Sequence, residues 1–92
     1  MTKAEIAHAI SEKTGIEKKD AMNIIEAFME TVKENMEKGE EVFLRGFGSF
    51  IIKHRAEKTA RNISKNVTVI VPEHDIPAFR PAKEFLEAVK KA

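Results

Sequence analysis

The side chains best suited to bind a ligand are the cations that follow residue 52. Residues 53–66 hold five lysines and arginines against one acid, Glu57, so this segment alone carries a net charge of +4. Its cations are Lys53, Arg55, Lys58, Arg61 and Lys65. Cations spaced along an extended chain can neutralise successive phosphates, which releases counterions and drives binding. The segment therefore predicts a polyanion as its partner.

Other kinds of chemistry find little support. The 92 residues include no cysteine, and the three histidines, His8, His54 and His74, do not have metal-ligand spacing on one element. Ser49 and Ser64 lie outside any nucleophile-elbow pattern, and no glycine-rich nucleotide loop is present. We therefore predict that the protein is not an enzyme, with no catalytic residue, metal or cofactor.

No segment indicates secretion or a membrane. Residues 1–5 lack the apolar core of a signal peptide. No apolar run approaches the roughly 20 residues that a membrane helix requires. Together with the lack of cysteine, this favours a reducing cytosol.

The cations must be positioned by a β-hairpin over residues 53–72. A polar turn over 61–66 separates the basic leg from a β-branched run, Val67–Val71. Legs of about ten residues at about 3.3 Å each give a ribbon roughly 30 Å long. An isolated two-stranded hairpin is only marginally stable in water, so this ribbon needs a partner.

The N-terminal half predicts two helices. Thr2 and Glu5 fit a capping box, and Gly15 is a suitable stop for the first helix. An apolar stripe from Ala21 to Met36 predicts a second helix that starts near Lys18 and ends by Gly39. A helix-turn-helix that enters DNA is the alternative, but the outer face of the second helix is acidic and would repel phosphate.

The rest of the chain predicts a small sheet and a last helix. A strand over 41–45 and a glycine turn over 46–48 lead to a strand over 49–52 that continues into the hairpin. We expect residues 72–75 to break the return strand and residues 76–80 to be extended again. The last helix is expected over about 82–91. Arg80 and Lys83 near its N-terminus favour a phosphate site.

The charge is unevenly distributed along the chain. Residues 1–41 carry six lysines and ten acids, a net charge of −4, although the whole chain has a net charge of +1. Such a concentration of positive charge in one segment is typical of nucleic-acid binders. A single domain of this length buries little surface, so we also expect oligomerisation.

Several motifs resemble the bacterial histone-like HU/IHF family of DNA-bending proteins. They are Arg45-Gly46-Phe47-Gly48-Ser49-Phe50, Arg61-Asn62 in the arm, and Ile76-Pro77-Ala78-Phe79-Arg80-Pro81. The resemblance covers the whole chain as one domain, residues 1–92. It implies an α+β fold with an N-terminal two-helix hairpin, a three-stranded antiparallel sheet with a long protruding β-ribbon arm, a short C-terminal helix and an intertwined dimer.

The resemblance also implies that different parts of the chain have different roles. Residues 1–52 and 73–92 would form the dimeric body, and residues 53–72 the arm that embraces DNA in the minor groove. An apolar wedge at each arm tip would unstack a base step, a mechanism of which this family is an established example. Phe47, Phe50 and Phe79 would be core. The implied DNA-binding residues are Lys3, Arg45, Gly46, Gly48, Ser49, Lys53, Arg55, Lys58, Arg61, Asn62, Ile63, Lys65, Arg80 and Lys83.

The sequence departs from the family pattern at three places: the wedge, the turn and the start of the last helix. The wedge position after Arg61-Asn62 holds Ile63 where the family usually has proline; isoleucine is apolar but lacks the fixed φ of proline. The usual Thr-Gly of the turn is Lys65-Asn66, and asparagine tolerates left-handed φ. Ala82 replaces the glycine that often opens the last helix.

The sequence thus predicts an architectural protein of the bacterial nucleoid that binds double-stranded DNA as a homodimer, or as a heterodimer with a paralogue. It would bend or compact DNA with little sequence specificity. One alternative is an interaction module that dimerises through the second helix and uses the arm to bind an acidic protein. Another is a sequence-specific regulator in the manner of integration host factor.

Overall fold

The structure, a computed structural model, describes residues 1–62, with only the backbone of Asn62, and residues 67–91. The chain comprises two compact units, Met1–Lys38 and Gly39–Ala92. The first is helical, and the second holds the strands and the last helix. None of the helices in the described ranges is long and apolar enough to cross a membrane.

The first unit is the predicted pair of helices, α1 (Lys3–Thr14) and α2 (Lys18–Glu37). Thr2 caps α1 through its Oγ1, which accepts a hydrogen bond from the Glu5 N–H at 3.3 Å. Gly15 ends the helix in the left-handed region, with φ of 79°, and its N–H donates to the Ser11 carbonyl. The predicted cap and stop are therefore confirmed.

The second unit contains two antiparallel sheets. One has three strands in the order β1-β2-β5, and the other pairs β3 with β4. The elements are β1 (Val42–Leu44), β2 (Gly48–Arg55), β3 (Lys58–Asn62), β4 (Val67–Val71), β5 (His74–Pro81) and α3 (Lys83–Lys91). The two-helix hairpin, the three-stranded sheet with its ribbon, and the short last helix are those that the sequence predicted.

The three-stranded sheet extends further toward the ribbon than expected. β2 and β5 pair from Gly48 opposite Pro81 to Arg55 opposite His74, so residues 53–55 belong to this sheet by their pairing. Only residues 72 and 73 interrupt the return strand, so the expected break over 72–75 was too long. Proline cannot donate to a ladder, which explains the break at Pro72, whereas Asp75 is held by its cross-strand partner His54.

A side chain completes the edge of the sheet where β1 is too short. β1 pairs with β2 over only three residues, from Val42 opposite Phe50 to Leu44 opposite Gly48. Beyond that ladder, the Ile52 N–H donates to the Glu41 carboxylate at 2.9 Å. The carboxylate thus replaces a backbone carbonyl that a longer β1 would have supplied.

Four phenylalanine rings form an aromatic cluster, defined by Phe47, Phe50, Phe79 and Phe85. The ring of Phe79 lies 5.2 Å from that of Phe47 and 5.1 Å from that of Phe50, and Phe85 stacks on Phe47 at 5.3 Å. These separations are typical of favourable aromatic pairs. In the single chain Phe47 is 47% exposed and Phe79 37% exposed, so their burial as core depends on a second chain and stays a prediction.

The buried core of the single chain is small. Among the described residues, the buried apolar side chains are Ala7, Ala21, Val32 and Ile51, and no large side chain is completely buried. Alanines at α1 and α2 allow close helix approach but remove little apolar area from water. The remaining apolar side chains are therefore available to a partner.

Gly46, in the turn before β2, and Gly48, the first residue of β2, give a direct stability prediction. A Cβ at Gly48 would lie 2.5 Å from Phe79 Cζ and 2.6 Å from the Arg80 carbonyl oxygen, whereas a Cβ at Gly46 would meet no atom within 4 Å. Gly46 has φ of 82°, so Gly46→Ala should cost about 1 kcal/mol through backbone strain. Gly48→Ala should cost about 3 kcal/mol or more, because backbone and ring must both move.

Urea unfolding of the two variants at equal protein concentration checks this prediction. Gly46→Ala is the matched control, since it adds the same methyl group two residues away. Equal losses in the free energy of unfolding would contradict the close approach of Gly48 to β5.

Candidate nucleic-acid interface

The ribbon of β3 and β4 presents cations and apolar side chains with no acid among them. Its two strands read Lys-Thr-Ala-Arg-Asn and Val-Thr-Val-Ile-Val. Lys58 pairs opposite Val71 and Arg61 opposite Thr68. Because successive side chains of a strand point to opposite faces and these two residues are three positions apart, the two cations lie on opposite faces of the ribbon. Both faces of the ribbon can therefore approach phosphates.

All five residues of β4 are exposed in the single chain. Ile70 is 61% exposed, although it lies at the centre of a β-branched run that would normally favour a buried strand. Exposed apolar surface rimmed by cations is typical of a binding surface. The expected lack of packing on both faces of the ribbon is thus borne out for its described residues.

Lys53 and Arg55 approach the ribbon from β2. Alternation along the strand places them on the side of β2 that also carries Ser49, and Ser49 pairs directly opposite Arg80. Arg80, Lys53 and Arg55 therefore point to the same side of the β2–β5 pair. Side chains of β2 and β5 on that side, at positions 49, 51, 53, 55, 74, 76, 78 and 80, include no acid.

An open cleft lies where the two sheets of this unit meet. It has a volume of about 530 Å³ and is lined by Arg55, Glu57, Lys58 and His74 together with apolar residues. The cleft joins the last cation of β2 to the first cation of β3. Among the described residues, the predicted arm cations Lys53, Arg55, Lys58 and Arg61 thus follow one another along β2 and β3.

A second group of predicted contacts meets at the glycine turn. Arg45, Gly46, Gly48, Ser49 and Arg80 line one open depression of about 360 Å³. The Phe47 N–H donates to the Leu44 carbonyl at 3.0 Å and closes the turn. Two guanidinium groups beside a glycine-rich turn suit a phosphate, since arginine binds phosphate oxygens bidentately and glycine lets them approach the backbone.

The N-terminus of α3 is less open than the sequence indicated. The Ala82 N–H, one of the donors expected near a bound phosphate, donates to the Phe47 carbonyl at 2.9 Å. Lys83 is the first residue of α3 and is exposed. Lys83 can therefore contribute charge, but Ala82 does not offer its N–H to an anion.

Lys3 belongs to the other compact unit, where it is already paired. Its Nζ lies 2.7 Å from Glu26 Oε1, and both side chains are about half exposed. This ion pair joins α1 to α2. A phosphate that binds Lys3 must compete with the Glu26 carboxylate, which the sequence pattern did not reveal.

The tip of the arm lies outside the described residues. Ile63 and Lys65, both predicted to contact DNA, are in this group, as is the side chain of Asn62. The wedge and the polar turn therefore remain predictions.

Sequence reasoning missed a cluster of ionisable groups at the root of the arm. His54 Nδ1 lies 2.9 Å from Asp75 Oδ1, and His54 Nε2 lies 3.5 Å from Glu73 Oε2. Counting residue pairs along the antiparallel β2–β5 ladder from Gly48 opposite Pro81 places His54 opposite Asp75. The sequence analysis did not predict this pair because it expected residues 72–75 to break the strand. Searched across residues 1–62 and 67–91, the structure offers no group of three or more His, Cys, Asp or Glu side chains that could hold a metal.

Comparison with known proteins agrees with the resemblance seen in the motifs. Residues 1–90 match the family model described as bacterial DNA-binding protein. The chain is 40% identical over 91 residues to DNA-binding protein HU of Clostridium pasteurianum, covering 99% of this chain and 100% of that protein. It is 37% identical over 90 residues to integration host factor subunit alpha of Pseudoalteromonas atlantica, covering 98% of this chain and 92% of that protein.

A solved structure extends the similarity to three dimensions. The chain in the Anabaena HU–DNA cocrystal structure matches this chain with a TM-score of 0.93 at 36% identity, and each chain is covered completely. Both the sequence match and the fold match therefore run across the two helices, the two sheets and the last helix. The chain belongs to the bacterial DNA-binding protein family that includes HU and the integration host factor subunits.

Proposed function

We propose that this protein is an architectural DNA-binding protein whose dimer holds duplex DNA between two β-ribbon arms. The observation that carries the proposal is the acid-free ribbon of β3 and β4, with cations on both faces and every residue of β4 exposed. Duplex DNA offers both phosphates for the cations and an apolar groove wall for the valine and isoleucine side chains. The related chain from Anabaena, in a cocrystal with DNA, supports the same partner.

The cations fall into two groups that suit different parts of a duplex. The first group lies along β2 and β3 and would track the sugar-phosphate backbone beside the minor groove; its members are Lys53, Arg55, Lys58 and Arg61. Arg45 and Arg80 at the glycine turn would hold a phosphate nearer the sheet, with Lys83 adding charge. We assign body contacts also to Gly46, Gly48, Ser49 and Lys3, and tip contacts to Asn62, Ile63 and Lys65.

Such contacts provide little sequence information. Phosphate contacts fix the position of a protein on DNA but do not read bases. A ribbon in the minor groove distinguishes mainly A·T from G·C pairs and senses groove width and flexibility. We therefore propose low sequence specificity, a preference for bent or flexible DNA, and a non-catalytic role in the bacterial nucleoid.

A second copy of the chain is the partner that the small core requires. Ile24, Phe28 and Met29 lie along α2 with 58%, 43% and 41% exposure. In the other unit, Phe43, Phe47, Leu86 and Val89 are also exposed. Each unit thus exposes several large apolar side chains, and a cluster of such side chains is typical of an interaction surface. We propose that residues 1–52 and 73–92 of two chains share one core and that residues 53–72 of each form an arm.

The dimer proposal predicts that stability depends on protein concentration. Because burial of the apolar side chains of α2 and the aromatic cluster needs a second chain, dilution should lower the midpoint of thermal unfolding. Circular dichroism melts over about a hundredfold range of concentration measure this shift, and sedimentation equilibrium gives the mass. A midpoint independent of concentration, together with a monomer mass, would refute the dimer.

The ribbon proposal predicts a steep loss of duplex affinity with salt. Arg55→Ala/Arg61→Ala should weaken binding to every duplex sequence and reduce the slope of log affinity against log salt by roughly one for each lost phosphate contact. Fluorescence anisotropy with a labelled duplex across a salt series provides both values.

A matched control removes the same charge elsewhere. Lys33→Ala/Lys38→Ala deletes two exposed cations at α2 and its C-terminal end, and it should leave the salt slope unchanged. If both double variants reduced affinity equally, net charge rather than the ribbon would govern binding. A flat salt dependence of the unmodified protein would exclude a phosphate-dominated interface.

The wedge proposal predicts separate effects on bending and affinity. Ile63→Ala should lower the bend of the duplex more than it lowers affinity, because it removes the apolar group that unstacks a base step but no cation. Energy transfer between dyes at the two duplex ends measures the bend. Ile63→Pro is the informative companion variant, since it restores the fixed φ of proline at this position. An unchanged bend in Ile63→Ala would remove Ile63 as the wedge.

A further inference from the structure

The root of the arm holds a histidine between two carboxylates, here called the His54 clasp and defined by His54, Glu73 and Asp75. His54 and Asp75 are cross-strand partners in the next-to-last pair of the β2–β5 ladder. Glu73 lies in the two-residue break before β5. The imidazole therefore links β2 both to β5 and to the segment at which the chain passes into the ribbon.

Both ring nitrogens face an acid. Nδ1 lies 2.9 Å from Asp75 Oδ1 and Nε2 lies 3.5 Å from Glu73 Oε2. A neutral imidazole has one N–H donor and one lone-pair nitrogen, and that lone pair would face a carboxylate oxygen. Only the protonated ring donates toward both acids, and such charge-assisted bonds are the stronger kind.

The clasp is separated from the cations around it. Strand alternation directs Lys53 and Arg55 to the opposite side of β2. On that side, Arg55, Glu57, Lys58 and His74 line the cleft between the sheets, and His74 Nδ1 contacts the Pro72 carbonyl at 2.9 Å. Within residues 1–62 and 67–91, the charged groups in contact with the His54 ring are Asp75 from β5 and Glu73 from the break.

We propose that the His54 clasp makes duplex binding pH-sensitive, and this inference rests on the proposed DNA-binding function. With His54 neutral, Glu73 and Asp75 place two uncompensated negative charges at the root of a ribbon that must approach phosphates. Protonation of His54 cancels one of them and ties the break to β2. Affinity for DNA is therefore higher when the ring is charged than when it is neutral, and it should be lower at high pH than at low pH.

Thermodynamic linkage between protonation and DNA binding means that the effect can also be measured as proton uptake. If protonation favours binding, binding must favour protonation by the same free energy. The complex therefore takes up protons from solution at a pH at which free protein is partly deprotonated. Aspartate, glutamate and lysine side chains have reference pKa values outside the interval from about pH 5.5 to 8. Proton uptake measured in this interval therefore concerns the histidines and the N-terminal amine.

The first experiment compares duplex dissociation constants at about pH 5.5 and about pH 8 and constant ionic strength. The unmodified protein should bind about two- to fivefold more tightly at the lower pH, the range expected for one exposed ion pair. His54→Gln, which keeps an N–H donor but not the charge, should lose most of this ratio. The matched control is His8→Gln, because His8 is also exposed and ion-paired, with Glu12 at 3.0 Å on α1. It should keep the ratio.

A second variant tests the carboxylates rather than the histidine. Asp75→Asn should bind duplex more tightly than the unmodified protein at about pH 8, since it removes a charge that neutral His54 leaves uncompensated. Calorimetry in two buffers of different ionisation enthalpy should record proton uptake by the unmodified protein and less by His54→Gln. His8→Gln, on α1 and outside the proposed interface, should retain the uptake.

The outcomes separate the two proposals. Absence of duplex binding at every pH would overturn the proposed function itself. Duplex binding with no pH dependence, or with the same dependence in His54→Gln, would overturn the clasp and leave the DNA-binding proposal standing. Equal affinity of Asp75→Asn and the unmodified protein at the higher pH would also overturn it.

Discussion

A two-stranded β-ribbon has no interior, and this constraint governs the rest of the chain. Each strand of the ribbon satisfies half of its backbone groups through the other, but side chains on both faces have nothing from the ribbon itself to cover them. The exposed valines and isoleucine of β4 show the consequence directly. Cations on β3 keep such a surface soluble and select a polyanion to cover it. Solubility and function therefore depend on the same residues.

The ribbon has to be anchored firmly because it contributes no core. The ladder of β2 and β5 runs for eight residue pairs and leads directly into the two strands of the ribbon. Close contact of Gly48 with Phe79, the aromatic cluster, and the bond from Ile52 to Glu41 fix the end of that ladder away from the ribbon. The single chain nevertheless leaves these rings partly in water. The anchoring contacts and the dimer thus both compensate for the small apolar surface that the single chain buries.

Local signals in the sequence predicted most of the elements. The capping interaction of Thr2, the stop at Gly15 and the two strands of the ribbon depend on neighbours within a few residues, so they could be derived from spacing alone. The pairing of Lys3 with Glu26 and the bond from Ile52 to Glu41 join residues far apart in sequence, and no local pattern encodes them. The sequence placed Phe47 and Phe79 in a core, but a core shared between chains has the same apolar pattern as a core within one chain, so the pattern alone does not show which of the two they form.

The division of charge between the units explains why a nearly neutral protein can bind a polyanion. The acids concentrate in residues 1–41, whereas β3 and β4 contain none. At physiological ionic strength, charges more than about 8 Å apart are largely screened, so a phosphate on the ribbon responds to the ribbon and its root rather than to the net charge. The acids that the structure pairs with His54 at the root of the ribbon are Glu73 and Asp75. Under the clasp proposal, the charge at this root depends on whether His54 carries a proton, in addition to the fixed charges of Arg55, Glu57 and Lys58 that line the adjoining cleft.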